Sequence, residues 1–147
     1  METRLTERAE RLLADLASSG ARLVLSRNGA VLFRSNGRGL RSLLEAVGLP
    51  QAAEFRGADA ADTTVGKAAA MLFAHLGVGF VAAGVMSEAG AEALRRHSIP
   101  HAARETVPAI QGRTPGRPCP FESAVAMITD PREALVALKE TARRLFA

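Results

Sequence analysis

One apolar stretch constrains the fold of this chain more than any other feature. From residue 68 to residue 86, His75 is the only polar side chain. Ala and Leu dominate before Gly77, and Val becomes frequent after it. A buried helix followed by a buried strand accounts for this change better than one helix that spans a membrane. The stretch therefore predicts a helix and a central strand in the interior of an α/β protein.

Turn and cap signals predict the other elements. Asn28-Gly29 predicts a β-hairpin, because both turn positions of such a hairpin need positive φ. Ser87 and Asp130 stand where helix N-caps are expected. The predicted order is a helix at about residues 4–18, hairpin strands at 22–27 and 30–35, a short helix at 40–47, a loop at 51–61 with a short strand around Phe55, a helix from Asp62 to about His75, a strand at 78–86, a helix at 87–97, a strand at 100–107, a loop at 108–120 and a helix at about 130–146. Strands separated by helices predict an α/β fold, here as one domain over residues 1–147.

Composition limits the class of partner. The chain has 19 basic and 15 acidic residues, and the arginines are scattered along it. With no Trp, no Tyr and six Phe, it lacks the stacking surfaces that nucleic-acid binding needs, so we expect no nucleic-acid partner. The charged N-terminal segment does not resemble a signal peptide, and a single cysteine suits a reducing compartment. We expect a cytoplasmic protein that does not contact a membrane.

The segment that precedes the apolar stretch is the first candidate site. Asp62 would cap the predicted helix, while Thr64, Gly66 and Lys67 would contact a ligand. A helix start suits an anion, because its first N–H groups are unpaired and the helix dipole is positive there. The segment does not match a phosphate-binding loop, since Ala68 follows the lysine. The alternative is that Asp62 is an ordinary N-cap, worth about 1 kcal/mol.

Two further segments carry candidate residues. Glycines on both sides of Arg38 would let backbone amides approach an anion that the arginine clamps, and a plain turn is the alternative. Pro118 and Pro120 enclose the only cysteine, Cys119, and Glu122 could be its acid–base partner. A small buried thiol in a turn is the alternative there.

The histidines do not predict a metal site. His97 and His101 are four residues apart, as a helical metal pair would be. Pro100 lies between them and breaks any helix that would hold both side chains on one face. We therefore expect no metal ligation by histidine.

Taken together, these segments resemble a family of uncharacterised prokaryotic proteins with a cytidine-deaminase-like fold. The resemblance rests on residues 31–39, 62–70 and 119–122, and it spans about residues 20–125. It implies a three-layer α/β/α sandwich around a mixed sheet. The helices at about residues 4–18 and 130–146 would be additions to that core.

The resemblance also implies which site residues to expect. In zinc deaminases of this fold, one metal ligand and the catalytic Glu start the helix after the hairpin, and two Cys ligands start the next helix. We assign those starts to residues 62–65 and 86–89, which contain no His or Cys. We therefore expect no zinc, no other cofactor and no zinc-dependent deamination. The implied catalytic residues are Asp62, Cys119 and Glu122, and the implied ligand-binding residues are Arg38, Thr64, Gly66, Lys67, Ser87, Glu88 and Arg113.

Two functional interpretations follow. The first is a pocket for a small anionic molecule of the nucleoside or nucleotide kind, with or without catalysis. The alternative is a non-enzymatic module for ligand sensing or assembly, which the absent zinc ligands favour. A homo-oligomer is a further expectation, because the exposed faces of the first and last helices could pack on a second subunit.

Overall fold

A five-stranded mixed sheet forms the centre of the protein in a computed structural model that describes residues 6–112 and 114–146. The elements in chain order are α1 (Glu7–Ser19), β1 (Leu23–Arg27), β2 (Ala30–Ser35), α2 (Arg41–Val47), a short 3-10 helix (Ala52–Phe55), β3 (Asp59–Val65), α3 (Lys67–Leu76), β4 (Phe80–Ser87), α4 (Glu88–Arg96), β5 (His101–Val107), α5 (Pro120–Val125) and α6 (Pro131–Phe146). In the part of the chain just defined, no helix combines the length and the apolar character needed to cross a membrane.

The strands lie in the order β2-β1-β3-β4-β5. Strand β1 is antiparallel to both of its neighbours, whereas β3, β4 and β5 are parallel to one another. Helices connect the parallel strands, as parallel pairing requires. The predicted mixed sheet of an α/β fold is confirmed, and the strand order is compatible with a cytidine-deaminase-like arrangement.

Helices cover both faces of the sheet. Successive strand residues point to opposite faces, so Leu23 and Leu25 pack under the larger helical layer while Val24 packs against α1. The α1 layer is built from four buried residues of that helix and five from the sheet: Ala9, Leu12, Leu13, Leu16, Val24, Ala61, Phe80, Ala82 and Ala102. The opposite layer contains buried residues of α2, α3, α4, α5 and α6. The predicted three-layer α/β/α sandwich is therefore confirmed.

Several local signals produced the predicted structure. Asn28 and Gly29 have φ of 51° and 85° and join β1 to β2. The Ser87 hydroxyl accepts a hydrogen bond from the Gly90 amide at 3.0 Å, which caps α4. Asp130 accepts a hydrogen bond from the Arg132 amide at the start of α6.

The predicted helix start at Asp62 is wrong. Asp62 lies within β3, where it pairs with Leu23 on one side and Ala83 on the other. Helix α3 begins only at Lys67, after Gly66 in an extended conformation. The β-branched run that follows Asp62 favours a strand, and its pairing on both sides overrides the local cap signal. The short strand predicted around Phe55 is also wrong, since a 3-10 helix occupies that position.

Candidate functional site

A pocket of about 820 Å³, here called the central pocket, opens between the starts of α2 and α3. Its lining comes from distant parts of the chain. They are the end of β3 (Asp62, Thr63, Thr64), the starts of α2 and α3 (Gly39, Leu40, Arg41, Leu43, Gly66, Ala68, Ala69), the loop before α5 and the start of α5 (Ile110, Gln111, Gly112, Thr114, Arg117, Pro118, Cys119, Pro120, Phe121, Glu122), and the end of α6 (Leu145, Phe146), together with Arg22 and Arg38. This volume lies within the range of small-molecule sites in proteins.

Asp62 is the buried ionisable group of the central pocket. Its side chain lies on the face of β3 opposite α1, and 6% of the residue is exposed. Burial raises the pKa of Asp62 to about 7, and the backbone amides of Thr64 and Thr63 offset only part of that rise. Asp62 makes no salt bridge with any residue that the structure describes. The carboxyl group can therefore gain or lose a proton near neutral pH.

Four exposed arginines surround the central pocket: Arg22, Arg38, Arg41 and Arg117. None of them forms a salt bridge within residues 6–112 and 114–146. The Arg41 guanidinium lies 4.0 Å from the centroid of the Phe146 ring, a cation–π contact that links α2 to the end of α6. The pocket mouth is therefore rich in positive charge.

Sequence reasoning found only Arg38 of these four. Arg113, the other arginine that it named, lies outside the described residues. Arg117 follows a turn in which its amide donates to the Thr114 carbonyl at 3.0 Å and Gly116 has φ of 81°. Pro-Gly at the centre of that turn is a signal of a type II turn that could have indicated a rigid position for Arg117. Arg22 and Arg41 carry no such local signal.

Glu122, which is distant in sequence, caps the start of helix α3. Its Oε1 accepts a hydrogen bond from the Lys67 amide at 2.9 Å, and its Oε2 accepts one from the Ala68 amide at 2.8 Å. A carboxylate is favourable there, because the first turn of a helix has unpaired N–H groups and a positive dipole end. The anion site predicted at this helix start is thus occupied by a side chain of the protein itself.

Gly66 leaves the space that this carboxylate needs. A Cβ at residue 66 would lie 2.7 Å from the Glu122 carboxyl carbon. We expect Gly66→Ala to displace the carboxylate and to lower the free energy of unfolding by about 2 kcal/mol, since two charge-assisted hydrogen bonds weaken. Adding Glu122→Ala to Gly66→Ala should cost little more, because the same contact is already lost. Urea unfolding of the single and double variants measures this coupling.

Gly48→Ala is the matched control for that experiment. Gly48 has φ of −83°, and a Cβ there would meet only ordinary contacts at 3.6 Å or more. It should therefore leave the stability nearly unchanged or raise it slightly. Purely additive effects of the substitutions at residues 66 and 122 would show that the glycine does not serve the carboxylate.

Cys119 lies on the wall between the central pocket and a second cavity. This side cavity, of about 470 Å³, lies beside α4 and shares Cys119 and Glu122 with the central pocket. The thiol is half-buried and directly precedes α5, which begins at Pro120. No histidine is among the described residues that line either cavity.

The structure brings together some of the predicted site residues but not others. Asp62, Arg38, Thr64, Gly66, Cys119 and Glu122 all line the central pocket. Lys67 lies instead in the side cavity, where its ammonium donates to the Ala126 carbonyl at 3.0 Å. Ser87 is buried, caps α4 and also borders the side cavity, whereas Glu88 is exposed and lines neither cavity.

The two helix starts that the sequence analysis assigned to residues 62–65 and 86–89 are each one helix too far along the chain. The helix after the hairpin is the short α2, and the next helix is α3. The starts of these two helices, near Leu40 and Gly66, both border the central pocket. Residues 39–42 and 65–68 contain no His or Cys. Among the residues that the structure describes, no group of three or more His, Cys, Asp or Glu side chains could hold a metal ion.

Fold and site together define an α/β sandwich protein with an arginine-surrounded pocket and a buried carboxyl group inside it. Residues 11–142 match the family model TM1506, a domain of unknown function (DUF1893). The chain belongs to this family, which confirms the resemblance to an uncharacterised family. The matched range includes most of α1 and most of α6.

A solved structure supports the fold. The crystal structure of a DUF1893 family protein (TM1506) from Thermotoga maritima is 22% identical in sequence. The match covers 95% of this chain and 94% of that chain, with a TM-score of 0.78. At this identity the likeness concerns the fold alone. No curated protein matches the chain.

Proposed function

We propose that the protein binds a small anionic molecule of nucleotide size in the central pocket. One observation carries this proposal: four arginines without an acidic partner among the described residues surround a pocket that contains a buried carboxyl group. Guanidinium groups bind phosphate through two parallel hydrogen bonds, which a lysine ammonium cannot do. Arg38 and Arg117 both line the pocket and come from loops that are far apart in sequence. They are the residues that we assign to the phosphate.

The charge balance of the pocket supports an anion. Both carboxylate oxygens of Glu122 accept backbone hydrogen bonds at the positive end of the α3 dipole, which offsets part of its charge. Burial raises the pKa of Asp62 to about 7, so this carboxyl group is not fully charged at neutral pH. The four cations therefore exceed the acidic charge that faces them, and a bound anion would relieve their mutual repulsion.

The same contacts favour binding over catalysis. Both oxygens of Glu122 already accept a backbone hydrogen bond, and Cys119 has no histidine beside it among the described lining residues. We therefore propose ligand sensing in preference to an enzymatic reaction. Proton transfer by Asp62 is the second candidate, since a carboxyl pKa near 7 suits general acid–base catalysis. Product analysis by NMR after incubation with nucleotides would detect it.

Calorimetric titration with pyrophosphate and with nucleoside monophosphates tests the binding proposal. We expect Arg38→Lys and Arg117→Lys each to weaken binding about tenfold, because the charge is kept and the two-pronged hydrogen bond is lost. Arg95→Lys is the matched control, since Arg95 is exposed on α4 and pairs only with Glu92. It should bind like the parent protein.

Two results would count against the proposal. Either pyrophosphate and every monophosphate fail to bind, or they bind with an affinity that the two pocket substitutions leave unchanged. Binding that also weakens in the Arg95→Lys control would indicate an effect that is not specific to the pocket.

A further inference from the structure

We propose that the ligand of the central pocket carries two adjacent N–H donors that meet the carboxyl group of Asp62, in the way that the Watson–Crick edge of guanine presents them. This inference rests on the proposed function, because the anionic end of the same ligand would contact the arginines. It names the recognition chemistry of the part of the ligand that lies deepest in the pocket.

The burial of Asp62 indicates that its carboxyl group needs hydrogen-bond donors. Only 6% of this residue is exposed, yet it lines the pocket and has no salt-bridge partner among the described residues. A buried carboxyl group is costly unless hydrogen-bond donors surround it. The backbone amides of Thr63 and Thr64 are its donors, and no described side chain donates a hydrogen bond to it. Donors from a ligand would supply the remainder.

The geometry of a carboxylate favours a ligand with two adjacent donors. Its two oxygens accept hydrogen bonds side by side and match a pair of parallel N–H donors. Guanine offers such a pair in its ring N1–H and its exocyclic amine. Hypoxanthine keeps the ring N–H but lacks the amine, and adenine presents its amine beside an acceptor nitrogen.

The apolar part of the central-pocket lining suits a flat ring. Besides Asp62 and the exposed arginines, the lining includes the apolar side chains of Leu43, Ala69 and Phe121. A flat ring could lie against these side chains while its donor edge faces Asp62. The phosphate would then extend toward Arg38 and Arg117, which line the pocket and are exposed. A pocket of about 820 Å³ has room for a base, a sugar and a phosphate.

The test compares GMP with IMP, which have the same phosphate, sugar and formal charge and differ by one amine. At pH 8, above the pKa of Asp62, we expect GMP to bind at least tenfold more tightly than IMP and AMP, because a site built for a donor rejects the analogue that lacks it. Asp62→Asn should abolish the preference for GMP over IMP, since one amide oxygen replaces two acceptors. Circular dichroism of this variant checks that it is folded.

The outcomes separate the two proposals. Equal binding of GMP, IMP and AMP that still weakens in Arg38→Lys would overturn the donor-pair inference and leave the anion pocket in place. A preference for GMP that survives Asp62→Asn would also overturn it. If GMP, IMP, AMP and pyrophosphate all fail to bind, both proposals are wrong.

Discussion

Asp62→Asn is expected to stabilise the protein at pH 8 and to change its stability little at pH 4. Folding raises the pKa of Asp62 from 3.8 to about 7, so the protonated form is favoured in the folded state. The contribution of Asp62 is therefore most favourable below pH 4 and is lost as the pH rises through 7. At pH 8 the loss amounts to at most about 4 kcal/mol, which corresponds to a rise in Tm of roughly 10 °C when the charge is removed.

Thermal unfolding of parent and variant at pH 4, 6 and 8 measures this effect. The difference between the two proteins is decisive, because other groups that titrate contribute equally to both. Asp15→Asn is the control: Asp15 is exposed on α1 and forms no salt bridge with a described residue. A variant that gains nothing at pH 8, or gains equally at pH 4, would show that Asp62 is not held in a costly ionised state.

Glu122→Ala is expected to lower the free energy of unfolding by about 3 kcal/mol, because two amides at the start of α3 lose their charge-assisted partner. Helix α3 lies in the core, with seven of its residues buried, so weakening its first turn affects the whole protein. Glu122→Gln should cost less, since its amide oxygen can still accept one of the two hydrogen bonds. Urea unfolding at pH 7 gives both values.

Glu88→Ala is the matched control for Glu122. Glu88 also stands in the first turn of a helix, but it is exposed and the start of that helix is capped by Ser87. Its removal should cost well under 1 kcal/mol, as expected for a dipole effect alone. Equal losses in the two variants would mean that the Glu122 hydrogen bonds add nothing beyond charge. Partial recovery of Glu122→Ala stability in acetate or phosphate would support the cap directly.

The elements that sequence reasoning predicted correctly are those whose signals are local. The Asn28-Gly29 turn and the Ser87 cap each depend on a few neighbouring residues, and both formed as predicted. Strand β3 depends on pairing with β1 and β4, which the sequence around Asp62 does not reveal. A carboxylate followed by two threonines is typical of a helix start as well as of a strand end. The prediction that Asp62 is a site residue thus rested on an incorrect helix assignment.

The candidate site was harder to predict, because its residues come from distant parts of the chain. Arginines that are scattered in sequence, from Arg22 to Arg117, surround a single pocket in space. Glu122 contacts the start of α3 across more than fifty residues, and only the tertiary fold brings the two together. The spacing of residues within one segment therefore could not have shown that Glu122 caps α3 and that Lys67 points away from the central pocket.

The α1 layer has a consequence for how the protein is handled. One face of the sheet is covered by a single helix, which packs on Phe80, Ala61 and Ala82 through apolar side chains. Arg8 of the same helix adds a cation–π contact with Phe80 and an ion pair with Asp59. Detachment of α1 alone would uncover a flat apolar surface bounded by the strands at the two edges of the sheet, and such surfaces associate readily. Shelf life would then depend on the opening of one helix and not on the stability of the whole fold. Substitutions that bind α1 more firmly should slow aggregation even where the melting temperature hardly changes.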